Sequence, residues 1–152
     1  MIRRALPALL AGLLGAGGAH AAQADHVHAG GAWIRLLPAG LPAGGYVVLR
    51  NDADRPVVLR EASSPAYGHV MLHRSTSETG MARMNAVASL DIPAHGTVAL
   101  APGGYHLMLM EATQPVQAGQ TVTIRLHFAD GSTLDAGFLA RPANATGPAD
   151  GG

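Results

Sequence analysis

Histidine and methionine are the residues of this sequence with chemistry to offer, and they are unevenly spread. His69, Met71, His73, Met81, Met84, His95, His106, Met108 and Met110 all fall in one window of a 152-residue chain. Within it, ten residues separate His73 from Met84, twenty-one separate Met84 from His106, and one separates His106 from Met108. Imidazole nitrogen and thioether sulfur form a moderately soft donor set. Soft donors select Cu(I), whereas carboxylates and carbonyls suit Mg, Ca or Mn. Thioethers have no proton to lose, so acid would weaken such a site only through its two imidazoles. The chain has no Cys, so neither a disulfide nor a thiolate metal site is expected. A blue-copper electron-transfer centre, which needs a Cys thiolate, is excluded for the same reason. A thiol-free donor set suits an oxidising compartment, where free thiols pair or oxidise.

Such donors need strands to hold them. In the stretch "GGYHLMLM" (103–110), side chains of an extended strand alternate between faces. Tyr105, Leu107 and Leu109 then face the core, and His106, Met108 and Met110 the other side. His73 ends the apolar run "HVMLH", and Met84 starts or flanks the next, across the loop "RSTSETGMAR". Adjacent antiparallel strands would bring His73, Met84, His106 and Met108 to one end of a sheet. His69 and Met71 share the face of His73 and read first as packing or outer-shell groups, with alternative ligands as the other reading. Met110 shares the face but falls outside the spacing, and it reads as packing, because Met fills irregular gaps, or as a hydrophobic shell beneath the metal. His95, in the turn "PAHG", and His127, in "RLHF", read as solvated or hydrogen-bonded. His26 and His28 offer a weaker, second site for Cu(II) on a flexible N-terminal segment.

The rest of the chain is organised to match. The first 21 residues carry Arg3 and Arg4, an apolar Leu/Ala run and the small-residue sequence "AHA", the layout of a secretory signal peptide. Cleavage after Ala21 is expected, with export to the periplasm. The absence of Cys removes the site of a bacterial lipoprotein anchor. Residues 22–30 read as a flexible lead-in, residues 31–141 as one domain and residues 142–152 as a disordered tail. The domain shows eight or nine short apolar runs broken by Gly, Pro and Asp turns, and no sustained helical period. That pattern predicts an all-β antiparallel sandwich or barrel. "TVTIRLHF-ADGS-TLDAGFLA" is the clearest hairpin, with Asp130-Gly131 at its turn. A formal net charge of zero leaves no basic footprint for nucleic acid. No later run is long enough to span a membrane. No nucleophile elbow or zinc-protease motif is present, so an enzyme is not expected.

The spacing His-x10-Met-x21-His-x-Met resembles the signature of the periplasmic copper chaperones called PCu(A)C, which His73, Met84, His106 and Met108 match without a gap. The resemblance runs from about Ala32 to Ala140. It takes in "AWIRLLPAGLPAGGYVVLRN", "IPAHGTVALAPGGYHLMLM" and "GQTVTIRLHFADG". It implies a cupredoxin-like β-sandwich of Greek-key type, acting as a monomer. It also implies one Cu(I) per chain at an exposed site. The implied role is delivery to the CuA centre in subunit II of cytochrome c oxidase, directly or together with Sco-type thiol proteins. A copper buffer without a dedicated acceptor is the alternative. Two features depart from the family pattern. Arg74 puts a cation directly after the first His, and Met81 is a spare thioether near Met84. The tail carries no His or Met, so a second copper site there is not expected.

Overall fold

The computed structural model describes residues 21–38 and 40–149; the expected signal segment lies outside them except for Ala21. A short 3-10 turn, Gln23–His26, leads into ten strands. They are β1 (Val27–Arg35), β2 (Ala43–Asn51), β3 (Val57–Ser63), β4 (Tyr67–Glu78), β5 (Met81–Ala86), β6 (Leu90–Ile92), β7 (Thr97–Leu100), β8 (Tyr105–Ala112), β9 (Thr121–Phe128) and β10 (Thr133–Arg141). They join in one hydrogen-bonded sheet ordered β5-β4-β8-β2-β1-β10-β9-β3-β6. β2 shares one edge between two partners, β8 along Ala43–Gly45 and β7 along Val47–Arg50. All pairs are antiparallel except β1 with β10.

The sheet folds over a single core. Ile34, Leu49, Leu59, Leu72, Ile92, Leu100, Leu107, Ile124 and Phe138 all belong to one buried cluster, and every strand but β5 contributes to it. Alternation explains most of this: β9 reads buried at Val122, Ile124, Leu126 and Phe128, with more open residues between. The fold is the expected all-β, cupredoxin-like one. The β9–β10 hairpin turns at Asp130-Gly131, where Gly131 has φ 85°.

Three local expectations need correcting. Residues 22–30 are not a loose lead-in; after Ala22 they form the 3-10 turn and the first four residues of β1. Their tethers are long-range and invisible in a short sequence window. The Gln23 amide donates to Asp130 Oδ2 and the Ala24 amide to Ser132 Oγ. His26 and His28 both bond to the Asp52 carboxylate, at 2.9 and 2.6 Å. Second, the stretch after His73 is no loop: β4 continues to Glu78 and turns back through Thr79 and Gly80 alone. Third, the described part of the tail is held in place. The Ala145 carbonyl accepts from Arg35 Nε, and the Pro148 carbonyl from Arg141 Nη1.

Candidate metal centre

The strand register explains the spacing of the motif. β4 and β8 pair antiparallel with His73 directly opposite His106, Met71 opposite Met108, and His69 opposite Met110. β4 and β5 pair with Ser75 opposite Met84 and His73 opposite Ala86. Side chains directly across an antiparallel pair lie about 4.5–5.5 Å apart at Cβ, and diagonal neighbours about 7–8 Å. His106 is therefore the direct neighbour of His73, and Met108 and Met84 are its diagonal neighbours on either side. Alternation sets all four on one face. The ten-residue gap from His73 to Met84 is a tight hairpin, and the one-residue gap from His106 to Met108 keeps a single face.

The two imidazoles meet edge to face, ring centroids 5.8 Å apart and planes at 79°. The Gly104 carbonyl, which can only accept, lies 3.1 Å from His106 Nδ1. In the neutral ring that bond fixes the proton on Nδ1 and leaves a lone pair on Nε2. The same carbonyl also accepts from the Ser75 amide at 3.0 Å, and Ser75 lies opposite Met84. Gly104 thus ties the imidazole on β8 to β4 at Ser75. Its preceding residue, Gly103, has φ 85°, a backbone conformation that glycine adopts without a steric cost.

Among the described residues, two buried side-chain polar atoms lack a hydrogen-bond partner, His73 Nδ1 and His106 Nε2. Buried polar atoms are nearly always satisfied, and leaving one bare costs about 1–3 kcal/mol. Here both bare nitrogens sit on one cross-strand pair. Burial, and after it the neighbouring His106, push the His73 imidazole below its ordinary value, which keeps its lone pair available near neutral pH. Among the described residues, no group of three or more His, Asp or Glu gathers in a metal-binding arrangement. Met108 and Met84 lie on the same face as the two imidazoles, and a set of two nitrogens and two thioethers would suit a soft monovalent ion.

The candidate donors differ in depth. His106 is only 4% exposed, Met108 half-buried and Met84 59% exposed. The expectation of an open face therefore holds at Met84 and fails at His106. Tyr46, two residues beyond Gly44 on β2, comes alongside His106, ring centroids 6.5 Å apart. Trp33 of β1, opposite Tyr46, packs against it with ring centroids 4.8 Å apart and planes tilted by 40°. Arg35 covers both rings, at 5.4 and 5.7 Å. Tyr46 folds over Gly44, where a Cβ would sit 2.6 Å from its hydroxyl. This aromatic wall was missed because Trp33 and Tyr46 lie far from the motif in sequence. Period-two alternation, followed across the pairing order from β8 to β2 to β1, is the signal that finds them.

The remaining candidates separate by face. Arg74, expected beside the site, pairs with Tyr105 on the opposite face, its guanidinium 5.1 Å from that ring. Met81 lies on β5, 62% exposed, opposite Glu78. Met110 is half-buried, and neither it, Met71 nor Met108 belongs to the core or to the residues packed against it. His127 bonds through Nε2 to the Ser63 hydroxyl at 2.8 Å, the ordinary role expected of it. His26 and His28 share Asp52, whose carboxyl is held below its usual value first by His28 and then by His26.

Residues 27–138 match the family model "Putative lipoprotein LpqE-like". "Putative lipoprotein Lxx21020" of Leifsonia xyli subsp. xyli (strain CTCB07) is 36% identical over 112 residues, 73% of this chain and 67% of that protein. The solution structure of apo-DR1885 from Deinococcus radiodurans is 34% identical, with a TM-score of 0.61 over 96% of this chain and 99% of that one. The solution structure of CuI-DR1885 is likewise 34% identical, with a TM-score of 0.63 over 86% and 85%. The copper-bound PCuAC domain from PmoF2 shares the fold, with a TM-score of 0.66 at 21% identity, over 81% of this chain and 98% of that one.

Proposed function

The chain belongs to the LpqE-like family, and from that premise we propose that it is an exported Cu(I) carrier whose cargo is held by His73, Met84, His106 and Met108. The observation that carries this reading is the pair of unpartnered buried nitrogens, His73 Nδ1 and His106 Nε2, on directly opposed residues. A relative 34% identical to it is known in a CuI form, and the cargo proposed here is the same ion. Among the described residues, no helix is long and apolar enough to cross a membrane.

The mechanism is ligand exchange, with copper staying Cu(I) throughout. His106, buried and fixed by Gly104, acts as the permanent donor. Met84 stands on β5, a strand exposed along its whole length, and acts as the first donor to leave. An acceptor's thioether, thiolate or imidazole enters from that side as Met84 withdraws, and His73 and Met108 follow. No bond to carbon forms or breaks, so the protein works as a chaperone and not an enzyme. The acceptor is the CuA domain of cytochrome c oxidase, reached directly or through a Sco-type protein, and the compartment is the periplasm.

Two measurements test this. Titration against a Cu(I)-competing chelator should give one tightly held Cu(I) per chain, with dissociation well below micromolar. Micromolar or weaker binding would sink the proposal. Incubating the loaded protein anaerobically with an apo CuA domain should then move copper to the acceptor, read as the copper content of each protein after the two are separated. Tight binding without transfer would leave a periplasmic copper buffer.

A further inference from the structure

The proposed centre uses one end of a longer feature. β4 and β8 carry three consecutive rungs on one face: His73 with His106, Met71 with Met108, and His69 with Met110. All six residues are imidazoles or thioethers. The centre takes the first rung, Met108 from the second and Met84 from β5. It leaves Met71, His69 and Met110, an unused set of one nitrogen and two sulfurs.

Packing does not account for these three. The strand faces that build the core carry Leu72, Leu107 and Leu109, and neither Met71 nor Met110 is among the core residues or those packed on them. Met71 and Met110 are half-buried and His69 is exposed. A groove of about 490 Å³ is lined by His69 and Met71 of β4 together with Ser63 of β3 and Val87, so small ions have access to His69 and Met71; Met110 does not line it and reaches them only through its pairing with His69.

Resting on the copper reading above, we infer that His69, Met71 and Met110 form a second, weaker Cu(I) position next to the first. His69 is opposite Met110 and has Met71 as its same-face neighbour on β4. Same-face neighbours on a strand are about 7 Å apart, within reach of two flexible thioethers converging on one ion. One imidazole and two thioethers make a soft trigonal set. It is weaker than the first because it has one donor fewer and because His69 stands in water. Met71 and Met108 share a rung, so the two positions are adjacent, and copper can step between them by exchanging thioethers one at a time.

The test follows Cu(I) into the mature protein carrying 13C-methyl-labelled Met, anaerobically, by NMR. The Met84 and Met108 methyl signals should move with the first equivalent and those of Met71 and Met110 with the second. The pair of substitutions Met71→Leu and Met110→Leu conserves volume. It should abolish the second equivalent while changing the first affinity less than twofold, and His69→Ala should weaken the second alone. In His73→Ala/His106→Ala the tight equivalent should vanish and the Met71 and Met110 shifts persist. If Met84 and Met108 respond but Met71 and Met110 stay still through two equivalents, the second position is overturned and the first stands. If no methyl responds, the copper reading falls and this inference with it. Should the double Leu variant unfold, the wild-type methyl titration decides alone.

Discussion

His106 shows how much one residue's surroundings matter. An imidazole on a strand face is usually solvated, but this one is buried, with Nδ1 turned to Gly104 and Nε2 left bare. His106→Ala should lower Cu(I) affinity at least about tenfold, roughly 1.4 kcal/mol, as read by chelator competition. Met84→Leu should cost less affinity and speed copper release, because the exposed thioether is the donor proposed to leave first. His73 carries a pH signature. Its folded value is depressed below 6.5, so beneath that pH the unfolded chain binds the extra proton more readily. Stability from this residue is full above 6.5 and is lost as the pH falls towards the lowered folded value. Urea midpoints of the apo protein should therefore drop through that window, and His73→Gln should flatten the drop. Equal slopes for the two proteins would show that His73 is not the group responsible.

At the scale of elements, β8 divides its labour by parity. Leu107 is fully buried in the core, and Leu107→Ala should cost about 2–5 kcal/mol in denaturant unfolding, with the copper stoichiometry unchanged. A variant as stable as wild type would mean the faces are reversed. The β4–β5 hairpin is the weaker element. It turns through Thr79 at φ 50° and Gly80 at φ 78°, and a two-residue turn with both values positive favours Asn-Gly. A β-branched residue in that region is strained. Thr79→Asn should stabilise the hairpin by about 1 kcal/mol and tighten Cu(I) binding modestly by preordering Met84, measurable by amide exchange along β5. The run after His73 reads as a loop because it is polar. It is a strand because an edge strand lying outside the core needs no apolar residues: β5 is exposed throughout and adds nothing to the buried cluster.

For the whole molecule, the sheet order decides what surrounds the donors. Crossing from β8 to β2 to β1 brings Tyr46, Trp33 and Arg35 up to His106, while the edge strand β5 leaves Met84 in water. The result is a face closed on one side and open on the other, as the proposed release to a partner would require. Trp33 is the only Trp in the chain and lies two rings from His106. Loading with Cu(I) should change its emission, and Tyr46→Leu should blunt that change. Copper that binds only the folded chain should also raise the melting temperature with its free concentration. A melting temperature indifferent to Cu(I) would mean that the folded state has no preferential site.

The sequence by itself determined the candidate imidazoles and thioethers, their parity on the strands, the absence of any thiolate and the all-β class. These are local properties: side-chain chemistry, the two-residue period and turn residues are all written in short windows. Only the tertiary structure decided that His73 faces His106, that Arg74 turns away to Tyr105, that residues 22–30 are held by Asp52, Asp130 and Ser132, and that Tyr46 and Trp33 wall the site. Each of these depends on which strand lies beside which. That pairing is set by burying one core shared among nine strands, and no window of neighbouring residues contains it.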